Sequence, residues 1–453
     1  MNMHTASSHG VIYPEASIRV GEDLIDANAA KLLMMSRSVK LGPGVFYGLC
    51  RGEDAIVQTP TFQRLARLRQ MGLAYVAFPG AQQTRFEHSI GTAYWSQRIL
   101  SELRVSSASG EFREFEAQLE QMQSALAPGI SLELMLRVMA LTHDIGLLPL
   151  GHTLQLQLRL MPNQHTEATV RAYDLLIADL RGDSVALVHE ERELLIQHVE
   201  ASRDTLLDQA PSSEASAKAL SFLRGIAIGP MGADLFDFAA RDLAAIGFDP
   251  DLDLECALAC VALAPVGNAP TLQFQVRPGD IDESAKRKAL EALIRSRLLL
   301  ATEGFLAPAK QAIDAVLERG LHLLRSQHTL TPELSANLVV LGDEEFLKEV
   351  VAALRILGSE AVPKARQLAS ALECRQMPTT IASIERAAFT EKELSALADS
   401  SFRHKVCERL EEDGWPIEGA MVFLIVPPLG MQSKSMRGML NLGETRDRLD
   451  AAI

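Results

Sequence analysis

Apolar residues recur at helical spacing along much of this chain, and that spacing constrains its fold more than any other feature. Phe62, Leu65, Leu68 and Met71 follow one another at three-residue intervals and stop at Gly72. Such spacing lines one face of an amphipathic helix, which a glycine commonly ends. The same spacing continues over residues 84–100, 131–144, 166–180, 191–209 and 233–247. A chain of this kind buries its core between helices.

Strand candidates are few by comparison. Residues 272–276 and 421–427 are short runs rich in β-forming residues, enough for a small accessory sheet. Only 5% of the residues are aromatic, while Leu and Ala dominate, which favours helix over sheet. We therefore predict a mainly α fold: a helical core, a helical C-terminal region and a small accessory β element.

The length of 453 residues exceeds the usual size of a single hydrophobic core. Residues 1–45 mix polar, Gly and Pro positions, which indicates an extended arm ordered by docking on the rest. Residues 46–264 contain most of the strongly periodic segments and form the predicted core domain. Residues 265–453 then form a C-terminal, mostly helical region, which residues 265–285 connect to the core.

Charge and cysteine usage exclude several classes of protein. A formal net charge of -14 argues against a protein that coats nucleic acid through a broad basic face, which leaves only a local groove for such a partner. Five scattered cysteines without a CxxC pair indicate neither a disulfide framework nor a zinc ribbon. No basic region precedes an apolar one at the N-terminus, and no window reaches the ~20 apolar residues of a membrane span. We expect a cytoplasmic protein without a membrane partner.

Two histidines and two aspartates on three predicted helices form a candidate metal site. His88 lies on the first helix, His143 and Asp144 end the second, and Asp234 lies on the third. Imidazole and carboxylate ligands together suit a divalent ion such as Mn, Fe, Zn, Mg, Co or Ni. Carbonyl dipoles at the end of a helix also favour a cation there. Taken alone, the His143–Asp144 pair fits a capped helix end as well.

Longer motifs around these residues carry a family resemblance. The stretch TPTFQRLARLRQMGLAYVAFPGAQQTRFEHSIG is followed by LTHDIGLLPLGH and then by ADLFDFAARD. In this order they resemble the dNTP triphosphohydrolases and their relatives in the HD-domain superfamily of phosphohydrolases. GDEEFLKEVVAALR and ARQLASALECRQ look like the C-terminal region of that family, so the resemblance covers about residues 50 to 385.

The resemblance implies a metal-dependent phosphohydrolase that acts on a nucleotide phosphate ester, for example splitting a dNTP into nucleoside and triphosphate. His88, His143, Asp144 and Asp234 match the family's ligands for a divalent metal ion, and Asp144 also belongs to the predicted catalytic set. A bound ion of this kind lowers the pKa of its water towards ~7, which permits hydroxide attack at neutral pH. The family commonly assembles into homo-oligomers. The C-terminal region would complete the substrate pocket and offer an oligomer interface.

Further positions match substrate and catalytic residues of the family. Arg85 matches an arginine that packs against the substrate phosphates, which it can pair bidentately in a way that Lys cannot. Gln70 matches a residue that contacts the sugar, and Arg297 matches a phosphate-binding arginine. His152 and His165 match active-site histidines around the scissile phosphate.

Departures from the family pattern leave alternatives open. Leu147 replaces an active-site histidine of the HD motif, and Gln155 stands where an acid commonly assists the retained His152. An active phosphohydrolase is the main hypothesis. A nucleotide-sensing or binding protein with reduced or lost hydrolysis is the second, and a structural or nucleic-acid-binding protein is the third. His152 also fits a loop histidine bonded to a carbonyl, and His165 a surface residue that begins the next helix.

The third helix carries further differences from the family. Phe238 stands where the family often has Tyr, and Leu235 where it often has Lys, so each removes a polar contact to phosphate or sugar. Asp237 and Arg241 are four residues apart, and we interpret them as an ion pair on the helix surface with little energetic weight.

Overall fold

The computed structural model describes most of the chain, and its architecture is mainly helical, as the sequence predicts. The described residues are 26–42, 45–106, 111–151, 153–154, 164–182, 185–209, 213–249, 251–266, 269–276, 282–327, 338–360, 362–379, 384, 388–414, 421–425 and 440–441. Two short sheets accompany the helices in this part of the chain. The predicted fold class is therefore confirmed.

The helices follow one another from near the start of the described chain to its C-terminal region. The first eleven are α1 (Ala27–Leu33), α2 (Arg51–Val57), α3 (Pro60–Gln63), α4 (Arg85–Ser106), α5 (Glu111–Ala125), α6 (Leu132–Thr142), α7 (Gln164–Arg181), α8 (His189–Leu206), α9 (Glu214–Ile228), α10 (Ala233–Ala245) and α11 (Leu254–Leu258). The others are α12 (Glu283–Leu299), continued by a π-helical segment (Leu300–Phe305), α13 (Pro308–Ser326), α14 (Asp343–Glu360), α15 (Pro363–Glu373), α16 (Glu391–Ala398) and α17 (Ser400–Glu412).

Helix α6 is the centre of the core, and all of its residues are buried. Ser131 caps its first turn by accepting a hydrogen bond from the Leu134 amide. Helices α4, α8 and α9 pack against α6, and α10 packs against α4. The helix that carries His88 and the helix that precedes His143 are therefore direct neighbours, and the helix that carries Asp234 packs against the first of them.

Among the described residues, the β structure consists of one hairpin and one three-stranded sheet. Strands β1 (Met35–Gly42) and β2 (Val45–Cys50) pair antiparallel. Strand β3 (Val261–Val266) pairs antiparallel with β4 (Ala269–Gln275), which pairs parallel with β5 (Leu440–Asn441). Most of the strand predicted at 272–276 lies in β4, inside the segment that the composition indicates as a connection.

The strand predicted at 421–427 is wrong over the described residues 421–425, which form none. The Val422 amide instead donates to the Glu411 carboxylate at 2.8 Å, so it is not available for strand pairing. Within the predicted N-terminal arm, residues 27–33 form α1 and residues 35–42 form β1, whereas residues 1–25 lie outside the described part. The boundary at residue 45 stays a prediction.

The helix predicted through Met71 ends earlier than its apolar spacing indicates. Helix α3 stops at Gln63, and a 3₁₀ turn over Arg64–Arg67 follows it. In a longer helix the Arg69 amide would donate to a backbone carbonyl one turn earlier. Here it donates to the Asp343 carboxylate at 2.8 Å. The apolar side chains of the segment are nevertheless buried, as the spacing predicts.

The C-terminal helices pack on the core through a second apolar cluster. Val316 of α13, Leu354 of α14 and Leu368 of α15 belong to it. Leu148 and Leu150 also belong to it, and they lie in the HD loop, which is residues 143–151 after α6. The division of the chain at residue 264 stays a prediction, and the two parts share this buried contact.

One stretch of the described chain, Glu214–Ala245, is long and apolar enough to cross a membrane, with a mean hydropathy of 1.2. It consists of α9, α10 and the turn between them, and 56% of its most apolar window is buried inside the protein. Helices of a protein core meet the same criterion. The stretch is therefore weak evidence for a membrane span.

Candidate metal centre

His88 lies in the first turn of α4 with only 1% of its surface exposed. Its Nδ1 atom lies 2.9 Å from Oδ2 of Asp237. Because a carboxylate only accepts, Nδ1 carries the proton of the neutral ring and leaves the Nε2 lone pair for another partner. That Nε2 atom is buried and makes no hydrogen bond, although Oδ1 of Asp234 lies 3.1 Å away.

His143 and Asp144 follow directly after α6, which ends at Thr142. Nδ1 of His143 donates to the Ala140 carbonyl at 2.8 Å, so the neutral ring keeps its other lone pair on Nε2. This Nε2 atom is likewise buried without a hydrogen-bond partner. The rings of His143 and His88 lie 5.2 Å apart, which brings two equivalent nitrogen atoms to the same place.

Carboxylate oxygens surround these two nitrogen atoms. Asp144 Oδ2 lies 3.5 Å from His143 Nε2 and 3.8 Å from His88 Nε2. The candidate ligand atoms of His88, His143 and Asp144 all lie within 4.8 Å of one another. Asp234 lies in the first turn of α10, and its carboxylate contacts His88 Nε2. Three of the four residues predicted to bind metal therefore share one point, and Asp234 lies beside it in contact with His88. The four come from three separate stretches of the chain.

The electrostatics of this point favour a positive charge. Burial lowers the pKa of His88, but Asp234 and Asp237 outweigh burial and raise that pKa to about 10. Burial raises the pKa of Asp234, but His88 and His143 outweigh it, so the pKa falls below its usual value. Buried ring nitrogens without hydrogen-bond partners, set beside carboxylates, suit a divalent cation. The residues present therefore fit the predicted metal.

Asp237 is not the surface residue that its spacing indicates. The predicted ion pair exists, since Arg241 Nη2 donates to Asp237 Oδ1 at 2.7 Å, but Asp237 is only 5% exposed. Gly91, one turn after His88, makes room for it, because a Cβ there would lie 1.8 Å from Asp237 Oδ1. One signal could have found Asp237: it follows Asp234 by three residues and therefore shares its helix face.

Arg85 begins α4 and lies beside the candidate ligands. Its Nη1 donates to Asp144 Oδ2 at 2.6 Å, and its Nη2 donates to the Gln70 carbonyl at 2.8 Å. Arg85 Nε and Gln70 Oε1 are buried without a hydrogen-bond partner. Both residues therefore lie at the site, and the contacts predicted with phosphate and sugar stay predictions.

The remaining predicted residues differ in how much the structure describes of them. Arg297 Nη1 donates to the Pro230 carbonyl at 2.9 Å. Burial lowers the pKa of Arg297 while the charge of Asp234 opposes this, so the two side chains lie within electrostatic reach. His165 lies in α7, and its side chain is outside the described part. His152 lies outside the described residues altogether.

Two polar residues near the site were not marked by the sequence. Asp242 is fully buried, and burial raises its pKa to about 6 although Gln83 donates to it at 2.9 Å. Asp242 Oδ2 and Gln83 Oε1 have no hydrogen-bond partner. The charges of His88 and Arg85 act on Asp242, which places it close to them.

Leu147, in the HD loop, is a buried apolar residue, and Gln155 lies outside the described residues.

Helices of this fold bring His88, the His143–Asp144 pair and Asp234 close together, in the arrangement that the resemblance to HD-domain proteins implies. No known protein-family model matches the chain. Over 227 residues, 47% of this chain and 34% of the relative, it is 25% identical to deoxynucleoside triphosphate triphosphohydrolase SAMHD1 of Gallus gallus. The Bos taurus protein of the same name is 28% identical over 234 residues, 47% of this chain and 36% of that protein.

A viral protein shows the same kind of similarity. An HD domain-containing protein of Acanthamoeba polyphaga mimivirus is 27% identical over 205 residues, 41% of this chain and 38% of the relative. The matched region spans about a third of the length of these curated relatives. These similarities support the relationship to HD-domain dNTP triphosphohydrolases that the motifs indicate.

Proposed function

We propose that the protein is a metal-dependent HD-domain phosphohydrolase that hydrolyses a nucleotide phosphate ester, such as a dNTP to nucleoside and triphosphate. One observation carries the proposal: the buried Nε2 atoms of His88 and His143 lack hydrogen-bond partners and face the carboxylates of Asp144 and Asp234. Mn, Fe, Zn, Mg, Co or Ni fits such a set of ligands. The similarity to deoxynucleoside triphosphate triphosphohydrolases supports the substrate class.

Each residue of the site has a role in this proposal. A divalent ion held by the four ligands would polarise a phosphoryl oxygen and lower the pKa of a water ligand towards ~7. Arg85 orients Asp144 through Nη1 and offsets the charge of a phosphate beside it. Arg297 adds positive charge near Asp234, and Gln70 offers a buried oxygen for a sugar hydroxyl. His152 and His165 would exchange protons with the leaving group.

The partners of the protein belong to the same proposal. Its substrate is a nucleotide or another phosphate ester, and the relatives' names support this class. We also propose a homo-oligomer in the cytoplasm, without a membrane partner and with the C-terminal region at the subunit interface. The net charge of -14 speaks against nucleic acid as a general partner.

One feature favours a second candidate function, a nucleotide-sensing protein with reduced or lost hydrolysis. Leu147 lies buried in the HD loop, at a position where its side chain can neither donate nor accept a proton. Binding of a nucleotide needs the ligands and Arg85, whereas turnover also needs proton transfer. The two functions therefore differ in turnover and not in binding.

Turnover of a substrate panel separates these two functions. Protein reconstituted with Mn²⁺ is incubated with dNTPs, NTPs and simple phosphate esters, and the products are identified by chromatography. We expect nucleoside and triphosphate from at least one nucleotide. His152→Ala should lower kcat by at least about tenfold with unchanged metal content, since general acid–base help contributes ~10²–10⁴-fold.

The exposed His189 supplies the matched control, and His189→Ala should turn over the substrate at the wild-type rate. Wild-type kcat in His152→Ala would remove the proton-transfer role of that residue. Nucleotide binding by metal-loaded wild type without any turnover would contradict the hydrolase and favour the sensor.

A further inference from the structure

One carboxylate of the C-terminal region bonds to two segments of the candidate site. Asp343 begins α14 and is completely buried. Its Oδ1 accepts the Leu150 amide at 2.6 Å, and its Oδ2 accepts the Arg69 amide at 2.8 Å. Leu150 belongs to the HD loop, and Arg69 directly precedes Gln70. Asp343 thus joins two pieces of chain that are far apart in sequence.

The backbone of Leu150 needs such a partner. Its φ angle is 60°, in the left-handed region that residues other than Gly rarely adopt. A backbone of this kind persists only where its surroundings hold it, and such positions cluster at functional sites. Leu150 is buried, and its amide is held by Asp343. The HD loop therefore depends on this carboxylate for its turn.

The two segments held by Asp343 flank Arg85. On one side, the Gln70 carbonyl accepts Arg85 Nη2 at 2.8 Å. On the other side lies Gly151, where a Cβ would be 3.2 Å from the same Nη2 atom. Between these walls, Arg85 Nη1 donates to Asp144 Oδ2 at 2.6 Å. The direction in which Arg85 points is therefore set by segments that Asp343 holds.

Arg64 also links the HD loop to the start of α14, as a hydrogen-bond donor. Its Nη2 donates to the carbonyl of Leu147 in the HD loop at 2.7 Å and to the carbonyl of Leu338 at 3.1 Å. Its Nε donates to the Leu341 carbonyl at 2.9 Å, two residues before Asp343. Arg64 bonds to carbonyl groups where Asp343 bonds to amide groups. The start of α14 and the HD loop are thus fixed to each other.

We propose that Asp343 is a positioning residue, which sets Arg85 against Asp144 and thereby tunes the cation affinity of the site from the C-terminal region. The inference rests on the proposed metal site but not on hydrolysis. Asp343 touches none of the four candidate ligands in the described structure, so it acts through Arg85. Loss of Asp343 leaves the charge of Arg85 in place and removes the two hydrogen bonds that hold the segments on either side of it.

A double-mutant cycle tests this route. The affinity for Mn²⁺ is measured by isothermal titration calorimetry for wild type, Asp343→Ala, Arg85→Ala and the double variant. Asp343→Ala should weaken binding by about tenfold in the wild type, the lower end of the effect of losing an outer partner of a metal ligand. In the Arg85→Ala background the same change should alter affinity less than about twofold. A merely structural role would give the same loss in both backgrounds.

Two further variants keep the test sharp. Asp399→Ala removes an exposed aspartate that accepts the Phe402 amide at the start of α17, far from the HD loop in the chain, and should leave affinity unchanged. Asp343→Asn keeps one acceptor oxygen and should give an intermediate loss of Mn²⁺ affinity. It takes the place of Asp343→Ala if that variant does not fold. In Asp343→Asn, hydrogen exchange should speed up at the Leu150 or Arg69 amide.

The outcomes separate this inference from the proposed function. Equal losses in both backgrounds, or unchanged affinity in folded Asp343→Ala and Asp343→Asn, would overturn the positioning role. Wild type that binds Mn²⁺ but hydrolyses no phosphate ester would overturn the proposed hydrolase and leave the cycle for Asp343 intact.

Discussion

His88 can offer Nε2 to a cation only while its Nδ1 proton has an acceptor. Asp237 provides that acceptor at 2.9 Å, and Arg241 in turn donates to the other oxygen of Asp237 at 2.7 Å. Outer partners of this kind fix the tautomer and the orientation of a ligating histidine. Asp237 is therefore part of the candidate metal site, although its spacing with Arg241 indicates an ordinary surface pair.

Replacing Asp237 tests this dependence at the scale of one residue. Asp237→Ala should lower the affinity for Mn²⁺ by about 10–100-fold, because the ring of His88 loses the acceptor that orients it. Isothermal titration calorimetry measures the change. Asp174→Ala is the matched control, since Asp174 also pairs with an arginine, Arg203, but is exposed. Equal affinity in Asp237→Ala and wild type would show that His88 does not need this partner.

The same scale shows which site residues a sequence can predict. His88, His143, Asp144 and Asp234 stand in motifs of unusual residue types. The structure brings the first three together and places Asp234 against His88, while their role as metal ligands stays a prediction. Asp343 stands in the motif GDEEFLKEVVAALR, but that motif does not indicate which groups Asp343 binds, because only the packed structure brings the two amides to it. Spacing along one helix does not determine which other helix its side chains will contact.

Among the secondary-structure elements, apolar spacing predicts helices well where the backbone amides have no side-chain hydrogen-bond partner from elsewhere in the chain. Helices α4, α6 and α10 lie where the spacing places them. The segment after Gln63 has the same spacing, but the amide of Arg69 finds its partner in Asp343, and the helix stops. The described residues 421–425 have strand-forming side chains, yet the Val422 amide bonds to a side chain instead of a strand. In both cases a backbone amide donates to a carboxylate instead of to a backbone carbonyl.

Helices α13 and α17 meet at a stacked pair of histidines. The rings of His322 and His404 lie 3.8 Å apart and almost parallel. Burial, His322, Arg319 and Arg403 together lower the pKa of His404 to about 3. Burial and Arg319 also lower the pKa of His322, although Glu408 opposes them. Both rings are therefore neutral in the folded protein at neutral pH.

This contact predicts a loss of stability in mild acid. The unfolded chain takes up protons at these histidines near pH ~6.5, whereas the folded protein does so only at lower pH. The free energy of unfolding should thus fall as the pH drops from about 7 to about 5. The free energy of unfolding of His404→Gln should fall less steeply with pH, as measured by urea unfolding at several pH values. The exposed His189→Gln is the control, and an unchanged slope in His404→Gln would contradict the prediction.

In the whole molecule, the candidate site has contacts with both the predicted core and the predicted C-terminal region. Its ligands come from the core, while Asp343 of α14 and Lys310 of α13 bond to residues just before and just after the undescribed His152. Lys310 Nζ, which is buried, donates to Thr153 Oγ1 at 3.1 Å. Residues of the C-terminal region therefore bond to Leu150 and to Thr153, and that this region completes the substrate pocket, as the family resemblance implies, stays a prediction.

The metal content of the purified protein shows whether His143 and Asp144 bind a metal ion. Wild type and the variant with both His143→Ala and Asp144→Ala are purified, dialysed against a weak chelator and analysed by inductively coupled plasma mass spectrometry, with circular dichroism as the measure of fold. The double variant of exposed residues, His189→Ala with Asp174→Ala, is the control. We expect wild type and control to retain a divalent transition metal, and the site variant to lose it while keeping its helical spectrum. Equal metal occupancy in all three proteins would contradict this expectation.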